Sequence, residues 1–475
     1  MNITAGLPRA ISPQSWETSI KKFLFALAAP AVALFTMGAA SAVSAPLCMP
    51  RVEGPVTFKD RSEIFARSPV PAGVVEEEYF ISCDISGGSY KTLLHVRRTQ
   101  DSAKQSGIVM VEPWHPNGGW SLYSKISDYE AKAGVVNVIV AGNPMIVNTM
   151  IKPSNAARYA TLILPGKGAR SYTDTVRNET TEMEILGQVG PLIKSGGLPG
   201  VKARKVILGG MSQTGGVVRA FVAFEHSQPG VKSTYDAYFP EQSALPSYRT
   251  PLPDLDVPVI ELQGERELIV MFERGADHVT YRRADGPLYR LYEVPGMPHI
   301  TTRGARERSP KDCTGRPLTN FPTNAIYGAA LNNLIAWLDD GVPAPHVPWI
   351  ETSVDGREIK RDALGNALGG YRTSYFDVPI ANYHATWDSY TMAVPVPGQA
   401  VTGTGATPSD AVAARCDMIG WTRPLSKDQL QKLYPTHAAY VAKVDQDIAD
   451  MVRKHLLLPD DARELRDEAK AAPVP

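Results

Sequence analysis

An α/β chain built on a mainly parallel sheet flanked by helices is what the sequence predicts, and three observations predict it. Short apolar runs alternate with stretches of helical periodicity through the middle of the 475 residues, the pattern of repeated strand–helix–strand units. One run, Val206-Ile207-Leu208, passes through a glycine-rich turn straight into a helical stretch from Val217 to Glu225. Hydrophobic residues make up 43% of the chain, enough for a substantial core in one large domain or in two or three.

Residues 1–45 read as an export signal. Lys21-Lys22 precede the apolar run from Phe23 to Met37, and small residues from Ala39 to Ala45 follow, with cleavage expected after Ala42 or Ala45. A retained anchor is the alternative, although so short an apolar run with Pro30 inside it spans a membrane poorly. The main domain is expected over residues 46–345, with an extension over 346–475 packing on it. From Val52 to Arg98 the pattern alternates, with Tyr79 to Cys83 and Thr92 to Val96 as edge or hairpin strands. Further strands are expected at Gly107 to Val111, Val135 to Val140, Tyr159 to Leu164, Val206 to Leu208, Val257 to Gln263 and Leu288 to Val294. Helices are expected over Glu182 to Lys194 and over Asn324 to Asp340, the latter stopped by Gly341. From Gly341 to Thr407 proline, glycine and aromatics show no period, which predicts an irregular wrap. Ser426-Lys427-Asp428-Gln429 is a capping-box pattern opening helices that run to about Leu458 and break at Pro435. The charged tail after Pro459 is expected to fray.

Ser212 is the first candidate for chemistry. It lies in Gly209-Gly210-Met211-Ser212-Gln213-Thr214-Gly215-Gly216, and glycines around a serine between strand and helix let the backbone turn sharply and leave the hydroxyl exposed above a sheet. Thr214 stands where the last glycine of G-x-S-x-G belongs, so an ordinary serine in a glycine-rich loop is the competing reading. Context favours the nucleophile, because an acid and then a histidine follow in the order such hydrolases use. The strand from Val257 ends at Gly264-Glu265-Arg266-Glu267, and the strand from Leu288 delivers Pro295-Gly296-Met297-Pro298-His299. Imidazole is the base that makes a serine hydroxyl nucleophilic, and a carboxylate behind it fixes the tautomer. His299 is the expected base, and either Glu267 or Glu265 the acid.

The oxyanion donors are expected from the N–H of Gln213 and from the loop Glu112-Pro113-Trp114-His115-Pro116-Asn117-Gly118-Gly119-Trp120, with amides between His115 and Gly119, Asn117 and Gly118 among them. Trp114 and Trp120 are candidate walls of a substrate pocket, with core packing as the competing reading. Glu112 is expected to buttress this loop.

These pieces together resemble the large, mostly bacterial alpha/beta hydrolase domain family whose members carry a G-x-S-Q-[ST]-G nucleophile turn. The resemblance extends to the strand ending in Glu112-Pro113, the turn from Glu265 to Glu267, the strand running into His299, and the segment from Arg361 to Thr373. It implies the alpha/beta hydrolase fold and an esterase-like reaction, and specifies no substrate. Two departures stand out: Glu267 occupies the place where the family's acid turn usually ends in aspartate, and Ile300-Thr301-Thr302 follow the histidine where a small residue and an aspartate are usual.

Composition narrows the partners. With 49 basic and 49 acidic residues, net +0, the chain has no electrostatic footprint for nucleic acid, and a neutral or apolar small-molecule ester is the expected substrate. No spacing resembles a zinc site and H-E-x-x-H is absent, so neither metal nor cofactor is expected. The four cysteines all follow the export signal, which favours disulfides, Cys48 with Cys83 and Cys313 with Cys416 as nearest in sequence. The chain thus reads as an exported serine hydrolase acting on a carboxylic ester. An amidase or thioesterase with the same triad, or a hydrolase-like binding protein, are the alternatives.

Overall fold

The computed structural model describes residues 48–56, 70–116, 122–168, 180–228, 230–243, 252–273, 282–300, 303, 317–386, 416 and 418–475. The export-signal reading, Asn117, Gly118, Gly119, Trp120 and Cys313 lie outside these residues.

One sheet organises the protein. Its strands are β1 (Arg51–Val56), β2 (Val74–Ile85), β3 (Gly88–Thr99), β4 (Ile108–Pro113), β5 (Val136–Val140), β6 (Lys205–Met211), β7 (Ala237–Glu241), β8 (Val259–Gly264) and β9 (Tyr289–Val294), in the spatial order β1-β2-β3-β5-β4-β6-β7-β8-β9. From β5 to β9 every pairing is parallel, whereas β1, β2 and β3 join antiparallel at one edge. Strands β4, β5, β7 and β8 are buried at every residue, as a parallel sheet covered on both faces requires. On one face α2 (Thr181–Lys194) and α3 (Gln213–Glu225) supply Ile185, Leu186, Val189, Val218 and Phe221 to the core. On the other, α1 (Tyr123–Ala133) and α5 (Thr323–Asp340) pack Ile126, Ile326, Leu331 and Leu334 against Ile108, Met110, Ile207 and Phe239. Between them in the chain, α4 (Glu265–Glu273) follows β8.

The C-terminal helices close the same face. The capping box at Ser426 and Gln429 starts α6 (Lys427–Leu433), then α7 (His437–Arg453) and α8 (Pro459–Ala471) follow. Here the expected frayed tail is corrected: Pro459 opens α8 at a position that tolerates a missing N–H. Ala462, Leu465 and Ala469, spaced at three and four residues, are buried, and Arg303 pairs with Glu464 at 3.0 Å and with Glu468. The expected strand from Tyr159 to Leu164 is also corrected. Asn155 caps a helical turn, Ala156–Tyr159, by accepting from the Arg158 N–H, and only Ile163 makes a single antiparallel bridge, to Lys91. Cys48 and Cys83 form a disulfide, tying the segment before β1 to β2.

One buried ion pair holds α3 to the sheet. Arg219 of α3 bonds Glu261 of β8, with side chains 3% and 5% exposed. Arg219→Met should cost about 3–5 kcal/mol, because it leaves a carboxylate buried and uncompensated, and the shift in urea midpoint measures it.

Candidate active site

Ser212 occupies the junction of β6 and α3 with φ 60° and ψ −122°. A non-glycine residue is held there only when its surroundings over-determine it. The surroundings are visible: the Ser212 N–H donates to the Glu241 carbonyl at 2.9 Å and its own carbonyl accepts from Gly216 at 3.0 Å. Gly215 is indispensable to the turn, since a Cβ there would lie 2.6 Å from the Glu241 carbonyl oxygen. Thr214, the departure from the motif, uses its hydroxyl to bond the Met211 carbonyl at 2.8 Å within the turn.

Two later elements meet this serine. Strand β9 ends in a tight turn with Gly296 at φ 67°, and three residues on His299 places Nε2 2.9 Å from Ser212 Oγ. Its Nδ1 lies 2.7 Å from Glu267 Oε1. Residues 265–267, expected as a turn, are instead the first turn of α4, which directs Glu267 and Glu265 differently. Glu265 Oε2 accepts from the Gly296 N–H at 2.7 Å and Oε1 from Arg361 at 2.6 Å. Its carboxylate therefore holds the turn before His299 and the segment around Arg361, while Glu267 faces the imidazole.

Electrostatics favour an ionised Glu267. Burial opposes its charge, but the hydrogen bond and positive charge of His299, the Arg266 guanidinium 3.8 Å away and the Gln242 amide outweigh burial and hold the carboxyl below its usual range. His115, two residues beyond β4, is buried, and burial together with the neighbouring charge of His299 pushes its pKa down to about 3. It stays neutral at physiological pH and adds no cation beside His299. Gln213 opens α3, where backbone N–H groups lack partners within the helix and the dipole favours negative charge. Trp114 is 3% exposed and packs in the core on the α3 side of the sheet. Glu112 lies buried at the end of β4 and accepts from Asn137 of β5 at 2.6 Å.

Two side chains around this site had no signal in the linear pattern. Gln242 Nε2 donates to Glu267 Oε2 at 2.9 Å and to the Pro298 carbonyl at 3.0 Å, and the Tyr327 hydroxyl of α5 donates to Gln242 Oε1 at 2.7 Å. Gln242 follows β7, a strand that the periodicity passed over because Pro240 interrupts it. Only the pairing of β7 between β6 and β8 brings Gln242 to Glu267.

Residues 52–467 match the alpha/beta hydrolase domain family. The chain belongs to that family. The chain has no match among curated proteins. Among solved structures it is similar to a brefeldin A esterase described as a bacterial homologue of human hormone sensitive lipase, at 12% identity and TM-score 0.24 over 38% of this chain and 45% of that one. It is similar also to a fungal esterase from Rhizomucor miehei, at 12% identity and TM-score 0.31 over 58% of this chain and 86% of that one, and to the esterase Est22, at 12% and 0.28 over 49% and 74%. The chain spans less than half the length of the first of these, and likeness at such scores says nothing of substrate.

Proposed function

We propose that the hydrolase cleaves a carboxylic ester through an acyl-enzyme on Ser212. The observation that carries the reading is the imidazole of His299 lying 2.9 Å from Ser212 Oγ and 2.7 Å from Glu267 Oε1, within the reach general-base chemistry needs. Ser212 Oγ attacks the ester carbonyl carbon while His299 Nε2 takes its proton, and Glu267 stabilises the imidazolium that results. The amide of Gln213 and one from residues 115–119 hold the oxyanion. Collapse breaks the bond to the alcohol oxygen, which leaves with the proton from Nε2. Water then attacks the acyl carbon, giving its proton to Nε2; the second collapse frees the carboxylic acid and returns the proton to Ser212. The Cys48–Cys83 disulfide and the signal-like pattern in residues 1–45 support an exported location.

A fluorophosphonate probe should label Ser212, identified by peptide mass spectrometry, and matched panels of ester, thioester and amide substrates should show turnover of the ester. An unlabelled serine overturns the reading in favour of a binding protein; preference for the amide or thioester changes the reaction class.

A further inference from the structure

We infer that Gln242 and Tyr327 are positioning residues that lock the acid of the site to the loop bearing its base; the inference rests on the ester-hydrolase reading above. The Gln242 side-chain amide has three polar partners and each is specified. Both N–H groups point at acceptors, Glu267 Oε2 at 2.9 Å and the Pro298 carbonyl at 3.0 Å, while Oε1 faces the Tyr327 hydroxyl at 2.7 Å. The reversed amide would set its oxygen against a carboxylate and a carbonyl, two acceptors, so the hydrogen-bond partners themselves determine the orientation. Every member is buried: Gln242 is 1% exposed and Tyr327 0%.

The backbone is bent to make this possible. Gln242 has φ 39°, in the left-handed region that a non-glycine residue enters at a cost of about 1–3 kcal/mol, and its N–H is anchored to the Leu262 carbonyl at 2.7 Å. The Gly264 N–H gives Glu267 Oε2 a second donor at 3.1 Å, and a Cβ at Gly264 would lie 2.7 Å from that oxygen and 3.1 Å from Gln242 Nε2. The acid oxygen turned away from His299 is thus fixed from two sides, which leaves Oε1 to the imidazole. Because Pro298 directly precedes His299, one amide couples the position of the acid on α4 to the backbone that carries the base. A carboxylate free to rotate would present the imidazole with a varying partner, and small misplacements of a catalytic group cost about a hundredfold in rate.

The test uses the full-length protein with p-nitrophenyl butyrate. Gln242→Leu should lower kcat by about a hundredfold with KM nearly unchanged, and Tyr327→Phe, which deletes one oxygen and keeps the packing, should lower kcat less and in the same direction. Gln242→Glu supplies a readout that a merely structural role would not move. Beside Glu267 the new carboxyl is forced to keep a proton above its usual range; protonated, it still donates to Oε2, and once ionised it repels. Its kcat should therefore fall as pH rises across a range where the wild type is flat. Should Gln242→Leu fail to fold, Tyr327→Phe and the Gln242→Glu pH profile still decide. Wild-type kcat in Tyr327→Phe and Gln242→Leu, or a wild-type pH profile in Gln242→Glu, overturns the inference alone when the fluorophosphonate still labels Ser212. An unlabelled wild-type protein overturns the functional reading and this inference with it.

Discussion

Ser212→Ala is expected to lower kcat for an ester by about a millionfold, as loss of a nucleophile does elsewhere, while changing stability by no more than about 0.5 kcal/mol. The asymmetry follows from what the hydroxyl does. Its hydrogen bond runs to His299 Nε2, whereas the turn is held by backbone bonds to Glu241 and Gly216 and by the close fit of Gly215, none of which involve Oγ. Alanine carries the same Cβ and accepts the same φ of 60° at similar cost. Residual turnover of about 10³–10⁴ over water should remain from binding and the oxyanion donors. Steady-state kinetics and thermal melting on the same preparation check both halves. Near wild-type turnover would remove Ser212 from the chemistry.

What was legible in the sequence was what depends on near neighbours. The strand–glycine–helix pattern around Ser212 and the strand delivering His299 are contained within about ten residues each, so both residues stood out. The choice between Glu265 and Glu267 was not legible, because it depends on helical phase: read as a turn, the segment offers two equivalent carboxylates, but on the first turn of α4 residues two apart point in different directions. Gln242 was hidden for a different reason. Its strand contains Pro240 and ends in Glu241, which together erase the apolar signal, and its role comes entirely from pairing across the sheet. The C-terminal helix α8 escaped because three buried residues among many charges, Ala462, Leu465 and Ala469, make a narrow stripe that composition alone masks.

Glu267→Gln and Glu265→Gln should separate cleanly. For Glu267→Gln, kcat should fall about 10⁴-fold, since an amide can hold the imidazole in the wrong tautomer and cannot balance an imidazolium charge. For Glu265→Gln, kcat should change far less and stability should fall by about 1–3 kcal/mol, because one oxygen must now serve both the Gly296 N–H and Arg361. The pH dependence of stability gives Glu267 a second signature. Its carboxyl sits below the ordinary value of 4.5 when folded, so the folded state holds its proton less tightly than the unfolded chain. The stability it contributes is present in full above about pH 4.5 and drains away as pH falls through the folded value. The difference in stability between wild type and Glu267→Gln, followed by urea denaturation from pH 7 downward, should therefore shrink in acid. A difference that stays constant or grows on acidification would mean that Glu267 is not ionised against His299, and a larger kcat loss in Glu265→Gln than in Glu267→Gln would exchange their roles.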